Sequence, residues 1–177
     1  MKVYFMRHAE SEYNIKRLIN QDPKIKVALS RRGVKQAEET AAKLSKFNFD
    51  AIFSSPFLRC RQTVEIVNKF HNAKIKIDGR IGEIKVGFEG RSADEYEKLA
   101  FAGKRASFKI KGEESWLEVQ KRVKDFLDWL SKQKYNCVLV VTHQDTMNAA
   151  IGLMKKIDSE RASRMSLKNC EIFEFKI

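Results

Sequence analysis

The sequence has few of the residues that stiffen or cross-link a chain. It contains only two prolines, Pro23 and Pro56, and three cysteines. The cysteines, Cys60, Cys137 and Cys170, are far apart and odd in number, so their spacing fits neither a metal-ligand motif nor a disulfide framework. A small disulfide-stabilised fold is therefore excluded, and a reducing compartment is indicated. Cys60 and Cys137 have apolar neighbours, and we expect both to be core residues.

Long hydrophobic runs, internal repeats and low-complexity tracts are also absent. No segment is long and apolar enough to cross a bilayer. The opening residues MKVYFMRH contain too short an apolar stretch for a signal-peptide core. We therefore expect a soluble, cytoplasmic protein with no membrane partner. An apolar content of 43% is enough for a single folded domain over residues 1–177.

The charge is strongly of one sign, with 35 Lys and Arg against 23 Asp and Glu, a net charge of +12. Such a balance fits nucleic acid, an acidic membrane surface or a small anionic substrate. The basic residues are scattered along the whole chain and form no tail. This distribution favours a solvated basic surface and no nucleic-acid partner.

Apolar periodicity predicts alternating strands and helices. Strands are predicted over residues 3–6, 51–54, 75–77, 137–142 and 172–175, the last at an edge of the sheet. Helices are predicted over about 30–47, from Ser55-Pro56 onward, near 92–101, over 115–130 after the capping box Ser115 to Glu118, and over about 144–154. This alternation predicts an α/β fold, a three-layer α/β/α sandwich around a mostly parallel sheet.

Polar side chains follow three of the predicted strands. Arg7 and His8 follow the first strand, Arg59 lies one turn into the helix after the second, and His143 and Gln144 follow the strand at 137–142. Because the carboxyl ends of parallel strands meet at one edge of a sheet, we expect these side chains to lie close together.

The residue types at this edge favour an anion over a metal ion. Two imidazoles alone do not hold zinc, which needs three or four nitrogen, sulfur or carboxylate ligands. The neighbouring arginines, Arg7 and Arg59, would repel a cation, whereas guanidinium groups match phosphate oxygens bidentately. Arg59 also lies in a first helical turn, where backbone amides are free to bind an anion. We predict a phosphate pocket, with no metal and no cofactor.

The motifs around these residues resemble those of the histidine phosphatase superfamily, also called the phosphoglycerate mutase-like family. Its Arg-His-Gly signature has the form MRHAESEYN here, with Ala9 in place of glycine. The resemblance continues through LSRRGVKQAEETA at 29–41, SSPFLRCRQTVEI at 54–66, IGEIKVGFEGRS at 81–92, GEESWLEVQKRVKDFLDWL at 112–130 and VVTHQDTMNAA at 140–150. These motifs, in this order, span almost the whole chain.

The resemblance implies a catalytic set of three residues. His8 would be the nucleophile that forms a phosphohistidine, and Glu83 would give a proton to the leaving group. His143 would hold phosphoryl oxygens beside them. A neutral imidazole can attack phosphorus and divide one difficult displacement into two easier steps.

The resemblance also implies a binding set. Arg7 and Arg59 would hold phosphoryl oxygens, and Asn14 corresponds to the asparagine of the family's first loop, an expected phosphate contact. Ser11 and Gln144 are candidate substrate-pocket residues.

Two positions depart from the family pattern. At Ala9, either the turn needs no positive φ or the usual glycine served close packing. Gln144-Asp145 replaces the usual glycine after the second histidine, and we expect its extra carboxylate to disfavour some anionic substrates.

The expected function is metal-independent hydrolysis of a small phosphorylated metabolite. A phosphoglycerate mutase must exclude water with a covering insertion, and the cap-like insertion here, at about 84–114, is modest. Protein phosphohistidine phosphatases of the family tend to lack the donor found at Glu83. A non-catalytic basic binding module predicts a broken catalytic position, and none is found. A monomer and a homodimer both remain open, since the edge strand could pair with another subunit.

Overall fold

The computed structural model describes all 177 residues and contains one five-stranded sheet. Its strands are β1 (Lys2–Arg7), β2 (Ala51–Ser54), β3 (Lys74–Ile77), β4 (Cys137–Thr142) and β5 (Ile172–Lys176). The strand order is β3-β2-β4-β1-β5. Strands β1 to β4 are parallel, and β5 runs antiparallel to β1 at one edge. The predicted, mostly parallel sheet is confirmed.

Seven helices connect these strands. They are α1 (Glu12–Lys16), α2 (Arg31–Leu44), α3 (Leu58–Asn68), α4 (Ala93–Phe101), α5 (Trp116–Leu130), α6 (Gln144–Lys155) and α7 (Ser159–Ser163). A 3-10 turn covers Gly79–Ile81. The short helices α1 and α7 and the 3-10 turn were not predicted, because elements of three to five residues have no apolar periodicity to detect.

Alternate residues of the strands face two separate cores, and this alternation produces three layers. On one face, Phe5, Phe53 and Val140 pack with buried residues of α5 and α6. On the other face, Met6 and Ile52 pack with buried residues of α2 and α3. The predicted three-layer sandwich is confirmed. No helix has the length and apolarity that a membrane span requires.

Side-chain caps fix where several helices begin. Ser30 accepts from the Gly33 amide at 2.9 Å at the start of α2. Ser115 and Glu118 form the predicted capping box of α5, since each side chain accepts a bond from the other residue's backbone amide.

Two local predictions were wrong. α3 begins at Leu58, with Phe57 as its N-cap, and not at Ser55-Pro56. Ser55 does not cap the helix because its amide still donates to Val141 of the sheet, at 3.1 Å, and its hydroxyl contacts His143. Cys60 is fully buried as predicted, whereas Cys137, the first residue of β4, is only partly buried because it lies at the open end of the sheet.

Candidate active site

A cavity of about 340 Å³ opens at the carboxyl ends of β1, β2 and β4. The predicted site residues that line it are Arg7, His8, Ser11, Asn14, Arg59, Glu83 and Gln144. His143 is fully buried behind the lining, yet its Nδ1 lies 3.5 Å from Glu83 Oε2. The structure therefore brings the predicted set together.

His8 is held in one tautomer. Its Nδ1 lies 2.7 Å from the Ala9 carbonyl oxygen, which can only accept a hydrogen bond. Its Nε2 lies 3.1 Å from Nε of Arg59, which can only donate. The proton is therefore on Nδ1 and the lone pair on Nε2. Burial, reinforced by Arg59 and Arg7, lowers the pKa of His8 well below 6.5, so the ring is neutral.

Arg59 joins the two histidines. Its side chain is almost fully buried at the start of α3, and its Nη2 donates to Nδ1 of His143 at 2.9 Å. Its Nη1 donates to the side-chain oxygen of Asn20, and its Nη2 to the Asn20 carbonyl at 3.2 Å. Asn20 therefore orients Arg59. No sequence pattern marked Asn20, since it lies in an irregular loop.

His143 is also held in one tautomer, opposite to that of His8. Because Nδ1 accepts from Arg59, the proton is on Nε2, which donates to Oγ of Ser55 at 2.7 Å. Burial first, and then the charge of Arg59, lower the pKa of His143 well below 6.5. The ring is neutral and its direction is fixed by Ser55, a residue that was predicted as a helix cap.

Glu83 lies where its carboxyl group is hard to ionise. Its side chain is 18% exposed, and Oε2 is 3.9 Å from Nη2 of Arg59. Burial, followed by the charge of Asp145, raises the pKa of Glu83 to about 7, and Arg59 partly opposes this rise. At neutral pH this group can both give and take a proton.

The loop that carries Glu83 is tied to three other elements. Thr142 and Thr146 each donate a hydroxyl to it at 2.6 Å, to the carbonyls of Ile81 and Gly82 respectively. Arg122 of α5 donates to the carbonyl of Glu83 at 3.2 Å. These bonds hold the Glu83 backbone in place while its carboxyl group stays in the cavity.

Arg7 and Asn14 complete the phosphate end. Nη1 of Arg7 donates to Oε1 of Gln144 at 3.2 Å and to the Leu167 carbonyl. The amide oxygen of Asn14 accepts from the backbone of Ser11 at 3.0 Å, and its amide nitrogen has no partner in the protein. Ser11 is almost fully buried and caps α1, so its hydroxyl fixes the start of the helix that presents Asn14.

The sequence profile of the histidine phosphatase superfamily, branch 1, matches residues 3–177. The chain belongs to this superfamily. It is similar to the 2,3-bisphosphoglycerate-dependent phosphoglycerate mutase of Thermoplasma acidophilum, with 31% identity over 97% of this chain and 86% of that protein. It is also similar to phosphoserine phosphatase 1 of Hydrogenobacter thermophilus, with 33% identity over 89% of this chain and 78% of that protein.

A solved structure shares the fold. Bacillus stearothermophilus YhfR superimposes with a TM-score of 0.89 over 99% of this chain and 91% of that one, at 22% identity. At this level of identity the likeness speaks for the fold alone.

Ala9, after the first histidine, is the first of the two departures from the family signature. The backbone of Ala9 is not in the left-handed region, so the turn requires no glycine. Its methyl group is fully buried against Leu29 and Ala37. Of the two expectations for this position, the structure favours the one in which the turn needs no positive φ.

The second departure, at Asp145, is accompanied by an arginine. Oδ1 of Asp145 accepts from Nη2 of Arg105 at 2.7 Å, and both side chains are largely buried in the cavity wall. The carboxylate is thus not an isolated negative charge. Arg105 was missed because it lies in the irregular segment between α4 and α5.

The donor groups form no cluster of three or more His, Cys, Asp or Glu side chains that could hold a metal ion. The cations that line the cavity are arginines.

Proposed function

We propose that this protein hydrolyses phosphomonoesters of small metabolites through a phosphohistidine formed at His8. The observation that carries the proposal is the lone pair of His8 Nε2, fixed by the Ala9 carbonyl on the other side of the ring and held by a bond from Arg59 in the wall of a cavity that Arg7 also lines. A neutral imidazole at this position is a nucleophile at neutral pH.

In the first step, the Nε2 lone pair of His8 attacks phosphorus and the bond from phosphorus to the ester oxygen breaks. The proton of Glu83 passes to that oxygen, so the leaving group departs as an alcohol. Arg7, Arg59 and Asn14 stabilise the charge that spreads over the phosphoryl oxygens. His143, whose single N–H is donated to Ser55, acts by accepting from Arg59 and so positioning it. Arg59 already donates to His8 Nε2, and it turns to these oxygens when that nitrogen bonds to phosphorus.

In the second step, the Glu83 carboxylate takes a proton from water as the water oxygen attacks phosphorus. The bond from nitrogen to phosphorus breaks, His8 regains its lone pair, and inorganic phosphate leaves. Glu83 is protonated again, so the cycle consumes one ester and one water. A pKa of about 7 suits both halves of this cycle.

A test uses p-nitrophenyl phosphate in the presence of a metal chelator. We expect the protein to hydrolyse it, and the change His8→Ala to lower kcat/KM by at least roughly a thousandfold. His71→Ala is the matched control, because His71 lies just after α3, partly buried against Phe49 and outside the cavity lining, and should leave activity unchanged. Full activity in His8→Ala, or activity lost to the chelator, contradicts the proposal.

The second candidate function is phosphoryl transfer as a phosphoglycerate mutase. The 31% identity with the Thermoplasma acidophilum mutase favours it. A mutase keeps the phosphoryl group from water, so 3-phosphoglycerate would be isomerised faster than it is hydrolysed. Measuring both products in one reaction separates the two functions.

We also propose a cytoplasmic protein that is a monomer or a homodimer. The three cysteines are free, as in a reducing compartment. One edge of β5 has no neighbouring strand, and a second copy could pair with it to form a homodimer. The exposed Lys176 on this strand favours a monomer instead, because charged residues on edge strands disfavour such pairing. Sedimentation at several protein concentrations distinguishes the two states.

A further inference from the structure

The buried charge of Arg59 has no carboxylate in direct contact. Its side chain is 5% exposed, and its Nη2 lies 3.9 Å from Oε2 of Glu83, which is too far for a hydrogen bond. Glu83 also has a pKa of about 7, so its carboxyl group is partly uncharged at neutral pH. A buried cation without a charged partner is costly. Other groups must therefore balance this charge and hold the guanidinium group in place.

Two neighbouring amide groups bond to Arg59 through their oxygens. The side-chain oxygen of Asn20 accepts from Nη1, and the Asn20 carbonyl accepts from Nη2 at 3.2 Å. An amide group is planar, so its nitrogen and oxygen cannot turn independently of each other. The partner of each nitrogen therefore decides where the oxygen of the same amide points.

The nitrogens of both amides donate to one carboxylate, that of Glu89. The side-chain nitrogen of Asn20 lies 3.2 Å from Oε1 of Glu89. The amide of Gln21, which belongs to the same peptide group as the Asn20 carbonyl, lies 2.6 Å from Oε2. The amide of Asp22 donates to Oε2 as well, at 2.8 Å. Two amides thus join Glu89 to Arg59 side by side, each with its N–H on the anion and its C=O on the cation.

This order of groups suits the charges at its two ends. Each amide dipole has its positive end at Glu89 and its negative end at Arg59, and hydrogen bonds in such a chain polarise one another. Burial lowers the pKa of Arg59, and the charge of Glu89 is one of those that oppose this fall. Glu89 does not line the cavity, so any effect it has on the reaction passes through Arg59 and the loop of Asn20.

We propose that Glu89 is a positioning residue for Arg59, acting through the side-chain amide of Asn20 and the peptide group that follows it. The inference deepens the proposed function and rests on it, because Arg59 there holds the nucleophile His8 and the phosphoryl oxygens. It also gives the cap-like insertion a part in the reaction: the insertion supplies the anion that keeps the phosphate-binding arginine in its direction.

The first test removes the carboxylate with Glu89→Ala. The loop should stay in place, since the backbone of Ile19 remains bonded to Gly90 and Arg91, at 2.8 and 3.0 Å. We expect kcat/KM for p-nitrophenyl phosphate to fall roughly tenfold or more, because Arg59 is no longer held in its direction. Glu89→Gln keeps one oxygen for the two backbone amides and should lose less activity.

Asp50→Ala is the matched control. Oδ2 of Asp50 also accepts from two consecutive backbone amides, those of Asn136 and Cys137. These bonds lie at the amino end of β4, whereas the cavity opens at its carboxyl end. The control removes the same kind of contact and should leave kcat/KM unchanged.

A double-mutant cycle separates positioning from a general effect on the fold. In the Arg59→Ala background, Glu89→Ala should lower kcat/KM by less than about twofold, since the residue on which it acts is gone. A carboxylate that only stabilises the loop would lower kcat/KM by the same factor in both backgrounds.

Nitrogen-15 NMR of labelled histidine gives a readout that needs no turnover, and the chain has only three histidines. Arg59 donates to Nδ1 of His143, so this nitrogen is unprotonated in the unchanged protein. In Glu89→Ala, the shifts of the two His143 ring nitrogens should move toward each other, because the Ser55 hydroxyl accepts either tautomer. His71, outside the cavity lining, is the internal reference and should not change.

Two results overturn the inference. One is a kcat/KM that Glu89→Ala leaves unchanged or lowers equally with and without Arg59. The other is a His143 ring that keeps one tautomer in Glu89→Ala. If p-nitrophenyl phosphate hydrolysis still depends on His8, only this inference then fails. If hydrolysis does not depend on His8 while Glu89→Ala releases the His143 ring, the proposed function fails and the link from Glu89 to Arg59 stands.

Discussion

At the scale of single residues, the candidate site is governed by which ring nitrogen has the proton. His8 and His143 lie with their ring centres 5.2 Å apart, and one guanidinium group donates to both. Because Arg59 only donates, both nitrogens that it contacts must be unprotonated. A change of Arg59 to lysine would therefore remove two fixed bonds together. The Ala9 carbonyl would still hold the proton on Nδ1 of His8, whereas the Ser55 hydroxyl can donate or accept and would leave the tautomer of His143 free to exchange.

Glu83 gives a prediction about pH and leaving group. With a pKa of about 7, its acid form is lost as pH rises through 7, so kcat/KM for an alkyl phosphate should fall above that pH. His8 stays neutral well below 6.5 and adds no fall at mildly acidic pH. Glu83→Gln should lower kcat/KM for the alkyl ester by about 100-fold or more and remove this fall.

Two controls accompany that measurement. Comparing Glu83→Gln with the unchanged protein at each pH cancels the ionisation of the substrate itself. For p-nitrophenyl phosphate, whose leaving group departs without a proton, the variant should show a burst of product followed by slow turnover. An unchanged pH profile in the variant would assign the proton to another group.

At this scale, the sequence predicted the site residues that directly follow strands. It did not predict the residues that hold those site residues in position. Arg7, His8 and His143 follow apolar strands, so their meeting at one sheet edge was predictable. Asn20 and Arg105 contact the site from irregular loops that lie far away in sequence. Such contacts depend on the path of the chain, to which no local pattern corresponds.

At the scale of elements, the start of α2 supports the loop after His8. Ser30 donates its hydroxyl to Glu10 at 2.7 Å and its amide to the Glu10 carbonyl at 2.9 Å. Gly33, one turn further, lies so close that an added Cβ would be 1.9 Å from that carbonyl oxygen. The helix can approach the loop only because this residue has no side chain.

Gly33→Ala is therefore expected to destabilise the protein, although alanine favours helices. Overpacking of this kind costs about 1–3 kcal/mol of unfolding free energy, and kcat/KM should fall as the loop shifts. Gly103→Ala is the control, since nothing lies within 4 Å of a Cβ there. Urea unfolding measures both, and equal midpoints for the two variants would contradict the prediction.

The long elements were predicted well because they contain enough residues to show an apolar period. The short elements were missed because they do not. In the capping box at Ser115 and in the apolar strand at 137–142, several residues each favour the same secondary structure. α3 shows the limit of a single signal: Ser55-Pro56 is typical of a helix start, yet the hydroxyl of Ser55 bonds to His143. A tertiary contact outweighed the local preference.

At the scale of the whole molecule, the net charge of +12 acts on every anionic substrate. Excess positive charge raises the encounter rate with a phosphate dianion, and salt screens this attraction. We expect kcat/KM to fall several-fold as salt rises from about 0.01 to about 1 M. The value of kcat at saturating substrate is the control, because the association of substrate with enzyme does not contribute to it. A kcat/KM that is independent of salt would show that the charge does not steer the substrate.

The sheet order has a consequence for how the protein folds. β1, which ends beside His8, has only β4 and β5 as neighbours, and both come from the last third of the chain. During synthesis β1 precedes both of its neighbours, so its apolar side chains stay unpaired until β4, at Cys137–Thr142, has been made. Closing such a long loop is slow, and an unpaired apolar strand is open to aggregation while it waits. The strand that leads to the nucleophile therefore depends on the later part of the chain, whereas β2 and β3 can already pair with each other.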